Sequence, residues 1–204
     1  MSSEESLLET LTSFPLTERQ EALAALLAVH PQAPPEEARV NMHLHTFFSF
    51  NGEGWSPSRI AWEARQRGLH AVGICDFDVL AGLDEFLAAA DLLRLRGVVG
   101  FESRTFFSEY SDHEINSPGE PGVFYFMGVG FRDEPEESTP SGQVFASMLR
   151  QSHRRNRDLI ERIDGHLNGL ALDYEKDVLP LTPAGNATER HIVRAYREKA
   201  LEAC

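Results

Sequence analysis

The chain has 204 residues, 42% of them hydrophobic, with 32 acidic against 19 basic residues and a formal net charge of −13. The length suits one domain, or one domain with an appendage, and the hydrophobic share is too high for a disordered chain. The acidity argues against passive binding to a nucleic-acid backbone, but it leaves room for an enzyme that holds phosphate through metal ions.

The N-terminus, Met1-Ser2-Ser3-Glu4-Glu5, is acidic and lacks the basic and apolar regions of a signal peptide. Residues 4–30 read as helices. Thr17-Glu18-Arg19-Gln20 has the form of a capping box ahead of Leu23, Leu26 and Leu27. Pro31-Gln32-Ala33-Pro34-Pro35 ends that region as a linker. A strand is expected at about 39–45, then a loop from Phe48 to Trp55. Ser56-Pro57 signals an N-cap with proline at the first helical position, and Gly68 a stop. A strand over 70–75 ends in Asp76-Phe77-Asp78. A helix at about 80–96 follows, then a strand from Val98 to Glu102. Strand and helix alternating with short links is the grammar of a parallel α/β sheet or barrel.

Beyond this the pattern loosens. Residues 109–122 read as loop, 123–131 as an apolar strand and 133–137 as an acidic loop. A long helix is expected over 142–167 and a last one over 188–203, with Thr188 as its N-cap. Arg150, His153, Arg154, Arg155 and Arg157 cluster on the long helix, and such a cluster reads first as a solvated face. The expected division is a helical appendage (1–38), a β/α portion (39–135) and a helical insertion or lid (136–204). The chain stops within a helical pattern, so it reads as the front part of a longer protein. Cys75 and Cys204 make no disulfide framework, and no apolar run approaches the roughly 18 residues that span a membrane. A cytoplasmic protein is expected.

The strand ends carry the chemistry. Asn41, His43 and His45 share one face of the first strand, so two imidazoles stand roughly 6–7 Å apart along it. The second strand ends in Asp76 and Asp78, although Asp78 can equally cap the helix that follows. On the third strand Val98, Gly100 and Glu102 share a face, and the small Gly100 is expected to leave room beneath the carboxylate. In parallel α/β folds ligand sites gather at these carboxyl ends. Histidines and carboxylates together suit Zn, Mn or Fe.

His43-Leu44-His45-Thr46, Ile74-Cys75-Asp76-Phe77-Asp78 and Gly100-Phe101-Glu102 together resemble the PHP family, the polymerase and histidinol phosphatase domains, over roughly residues 39–131. The resemblance implies an α/β fold, a distorted PHP-type β/α barrel of seven strands, here incomplete. It implies hydrolysis of a phosphate ester by metal-bound hydroxide. His43 and His45 would bind a first ion, Glu102 would bridge to a second, and His113 is a candidate ligand of that second ion. Asp76 would be a cleft carboxylate in the catalytic set, orienting a ligand or water. One or two divalent ions are expected rather than three, because Asn51 and Phe77 stand where the family has metal ligands. The family's closing Asp-x-His motif does not occur. The implied substrate is a phosphorylated small molecule or a nucleotide, without membrane association.

Two alternatives stay open. An amidohydrolase-type barrel also opens with H-x-H, but it needs a bridging lysine or carboxylate on a middle strand, and Lys176 and Lys199 lie in the helical tail. A degenerate barrel serving as a non-catalytic interaction domain would account for Asn51, Phe77 and the missing motif.

Overall fold

The structure is a computed structural model and describes residues 3–167 and 169–202; Cys204 lies outside the described residues. Four strands, β1 (Glu37–Leu44), β2 (Leu69–Phe77), β3 (Gly97–Phe106) and β4 (Val123–Val129), form one sheet in chain order. β1, β2 and β3 are parallel and β4 returns antiparallel. The sheet curls into half a barrel, which agrees with the α/β barrel expectation in class and in its incompleteness.

The helices are α1 (Ser3–Thr10), α2 (Leu16–Val29), α3 (Pro57–Gln66), α4 (Leu83–Leu93), α5 (Pro140–Asp164) and α6 (Glu189–Glu202). α3 begins as its sequence dictates. Ser56 accepts a hydrogen bond from the Arg59 amide, Pro57 occupies the first turn, and Gly68 takes the left-handed conformation that ends the helix (φ +61°). α5 starts two residues earlier than expected. Thr139 caps it by accepting from the Gly142 amide, with Pro140 in the first turn.

The capping box at Thr17 does not form. α2 opens at Leu16 behind Pro15, with no side-chain cap. Arg19 does the work instead: it is buried, donates to the Ser13 and Phe14 carbonyls, and forks onto the Glu85 carboxylate. A buried guanidinium with four partners outweighs one exposed hydroxyl cap.

One core joins Leu11, Leu23 and Leu26 of the N-terminal region to Ile60, Trp62, Val72, Leu83, Phe86 and Val99. A second, smaller core gathers Ile160, Leu172, Tyr174, Val178, Ile192 and Ala195 from α5, α6 and the segment between them. That segment contains a π-helical turn, Tyr174–Val178, which Asp173 caps through the Glu175 and Lys176 amides, and a 3₁₀ turn, Leu179–Leu181. β1 lies at one edge of the sheet, and its Val40 and Met42 face outward, exposed. No helix among the described residues is long and apolar enough to cross a membrane.

Gly100 serves a different purpose from the one its position suggests. A Cβ there would lie 2.6 Å from the Gly128 carbonyl and 3.0 Å from the Val129 side chain. The missing side chain lets β4 close against β3 (Gly100 pairs with Val129) rather than opening space under Glu102.

Candidate metal centre

Strand register assembles the site. Leu44 pairs with Ile74, and Phe77 pairs with Glu102, so the ends of β1 and β2 reach the level of Glu102, which lies within β3 rather than at its end. There the Nε2 of His43 lies 3.0 Å from Oε2 of Glu102, and the Nε2 of His45 lies 3.5 Å from the same oxygen. The imidazole rings meet edge to face, 5.1 Å apart. One donor atom from each residue lies within 4.8 Å of the others. For metal–ligand bonds of about 2.0–2.2 Å in a tetrahedral shell, neighbouring donors stand roughly 3.3–3.6 Å apart. The donor set and spacing therefore fit one divalent ion with small side-chain adjustments.

The sequence places His43 and His45 correctly on one face, and Glu102 is buried beneath them. Burial lowers the His45 pKa from its usual value, against the opposing pull of Asp76 and Glu102. The neutral imidazole that results is the form that ligates a metal. His45 also stacks flat on Phe77, with ring centroids 4.8 Å apart and planes 8° from parallel, which fixes the imidazole's orientation.

Asp76 lies beneath the loop after β1. Its oxygens accept from the Thr46 amide (2.7 Å), the Thr46 hydroxyl (2.7 Å) and the Ser49 hydroxyl (2.7 Å). Burial pushes its pKa up, while those hydrogen bonds pull it down. Ser49 Oγ in turn sits 3.5 Å from His45 Nδ1. Asp76 thus pins the backbone that carries His45. Asn51 closes the same loop: its amide donates to the His45 carbonyl and its oxygen accepts from the Glu53 and Trp55 amides.

His113 is not brought to this cluster. Its exposed ring pairs with Asp112 on the loop before β4 and does not line the cleft.

The cleft over the cluster has a volume of about 760 Å³. Its walls include Arg104 from β3, Tyr125 from β4, Ser152 and Arg155 from α5, and Glu189 and Arg190 from α6. Arg104 pairs with Glu120, whose pKa is lowered by Ser117 and then by that guanidinium. Arg155 lies 3.6 Å from Glu189, and Arg190 packs over the Phe50 ring. A second cavity, about 540 Å³, adjoins it along Asp78, Arg104, Ser152 and Arg155, and adds Arg154 and Arg162. Asn186, fully buried, fastens the helical segment to the loop after β1 and the end of β2 by donating to the Phe48 and Phe77 carbonyls (3.2 and 2.8 Å).

Sequence reasoning found the metal-type donors, and missed Asn186, Ser152, Glu189 and Arg190. The basic cluster on α5 held a partial signal: Arg155 faces the cleft, where a solvated face was the first reading. Nothing local distinguishes Asn186 from a loop asparagine.

No family model matches the sequence, and no curated protein does. The fold does match solved structures. A protein from Bifidobacterium adolescentis, carrying the provisional name of metal-dependent phosphoesterase, superposes with a TM-score of 0.62 at 23% identity over 82% of this chain and 52% of that one. An amidohydrolase from Chromobacterium violaceum, solved with sulfate bound and without metal, gives 0.58 at 16% identity over 79% of this chain and 50% of that one. The chain spans about half the length of these proteins, and what it is similar to in them is the fold.

Proposed function

We propose that this chain carries the metal-binding half of a PHP-type phosphoesterase, which hydrolyses the phosphate ester of a small molecule or nucleotide. One observation carries the reading: a single oxygen of buried Glu102 faces both His43 and His45, at the floor of a cleft whose walls hold Arg104, Arg155 and Arg190. Two imidazoles and a carboxylate suit Zn, Mn or Fe. When bound, such an ion supplies an acidified water and a Lewis acid for a phosphoryl oxygen.

The chain's own residues do the rest. His43, His45 and Glu102 hold the ion. Asp76 acts as a positioning residue, through Thr46 and Ser49. The arginines draw an anionic ester into an otherwise acidic protein, and guanidinium geometry matches phosphate oxygens in pairs. The two-cysteine composition fits a reducing, cytoplasmic setting.

The test is phosphate release from p-nitrophenyl phosphate and from nucleoside monophosphates, with chelated protein resupplied with Zn, Mn or Fe. Metal-stimulated turnover that disappears in His43→Ala supports the proposal. Stoichiometric metal without turnover on any ester favours the second reading, a non-catalytic interaction domain, for which Phe77 packed on His45 is the supporting observation.

A further inference from the structure

A carboxylate can join two ions only where further donors stand around it, so the groups around Glu102 bear on how many ions the cleft can take. Resting on the reading above, we infer that the described residues hold one divalent ion, and that guanidinium groups supply the remaining positive charge over the cleft.

Among the described residues, His43, His45 and Glu102 are the one group of three or more metal-type side chains close enough to share an ion. Asp76 is spent on Thr46 and Ser49. The Asn51 amide is spent on its own loop. Phe77 offers a hydrocarbon ring stacked on His45, with the Tyr125 ring edge-on to it at 6.2 Å. That leaves three cleft carboxylates, each with a partner. Glu120 pairs with Arg104 and Ser117, and Glu189 with Arg155. Asp78 accepts from the Ser103 hydroxyl at 2.7 Å. It is held there by a left-handed backbone, φ +58°, which a β-substituted residue seldom adopts.

The positive charge that a second ion would bring is present in another form. Arg104, Arg155 and Arg190 all line the cleft. A guanidinium stays protonated at any working pH and can donate to two phosphoryl oxygens at once. An ester entering the cleft can take over Arg155 from Glu189, whose contact at 3.6 Å is loose.

The experiment titrates the chelated full chain with Mn²⁺, by calorimetry and by electron paramagnetic resonance. The expected result is one tight equivalent with the uncoupled six-line spectrum of an isolated ion. That equivalent is lost in His43→Ala and in Glu102→Ala and retained in Phe77→Ala. Two tight equivalents, or an exchange-coupled spectrum, overturn the inference, and so does the absence of any tight equivalent. Inorganic phosphate binding to the Mn²⁺-loaded protein should weaken about tenfold or more in Arg155→Ala; unchanged affinity overturns the role given to the guanidinium groups. One equivalent without ester hydrolysis leaves this inference standing and removes the phosphoesterase reading. Two equivalents with hydrolysis do the reverse.

Discussion

The two hydrophobic cores of this protein contribute opposite kinds of chemistry to one cleft. The core beneath the sheet positions the metal-type donors on β1 and β3, and its residues recur at regular helix and strand spacing. The smaller core around Tyr174 and Val178 positions arginines, on α5 and α6, with irregular turns between them. The first is a rigid floor fixed by backbone pairing. The second is a wall held to that floor in part by Asn186. Metal affinity should therefore answer to the first region, and ester binding to the second.

The largest expected effects fall on the floor. Glu102→Ala should reduce bound metal to background and abolish metal-stimulated hydrolysis, as read by elemental analysis and phosphate release. A Glu102→Ala protein that keeps stoichiometric metal would break the assignment of the cluster. Next comes the buried pair that anchors the N-terminal helices. Arg19→Met leaves the buried Glu85 side chain with only Ser58 as a polar partner, and should cost about 3–5 kcal/mol in urea unfolding.

The wall carries the pH dependence. Burial, and then nearby Arg194, lower the His191 pKa from 6.5 to about 4. Its Nδ1 accepts from the Thr188 amide, and its ring packs on Phe50. Between about 6.5 and about 4 the unfolded chain takes up a proton that the folded chain refuses. Stability should thus be full above that window and fall as pH drops through it, by up to roughly 3 kcal/mol from this group. Urea unfolding at neutral and mildly acidic pH checks this. Carboxylates titrate there too, so the decisive comparison is with His191→Asn, in which the acid-side loss should shrink.

Smaller effects sharpen the division between floor and wall. Asn186→Ala leaves two carbonyls without their donor and should cost about 1–3 kcal/mol. It should raise KM for the ester while one equivalent of metal still binds. Equal loss of metal and ester binding would mean that the two regions are not separable. Ser56→Ala, which removes the α3 cap, should cost about 1 kcal/mol without touching either.

Much of the floor was legible because its signals are local. Ser56-Pro57 and Gly68 bound α3 as read, since a cap, a fixed proline φ and a left-handed glycine act within a few residues. His43 and His45 share a face because strand side chains alternate. Signals of the same kind failed wherever a distant partner outbid them. Thr17 lost its capping role to Arg19 and Glu85, which lie 66 residues apart. Gly100 answers to β4, paired from across the sheet. His113, which the family resemblance offered as a ligand, stays with its neighbour Asp112 because the loop that carries it faces solvent.

By itself the sequence determined the alternation of strands and helices, the ends at which chemistry gathers, and the identities of His43, His45, Asp76 and Glu102. These follow from periodicity and from residue type. Only the tertiary structure decided that one Glu102 oxygen faces both imidazoles, that Asp76 accepts hydrogen bonds from Thr46 and Ser49 of the loop after β1, and that Arg155 and Arg190 join the same cleft. Those facts depend on strand register and on the docking of the second core, which are set by pairings across long stretches of chain that no local pattern encodes.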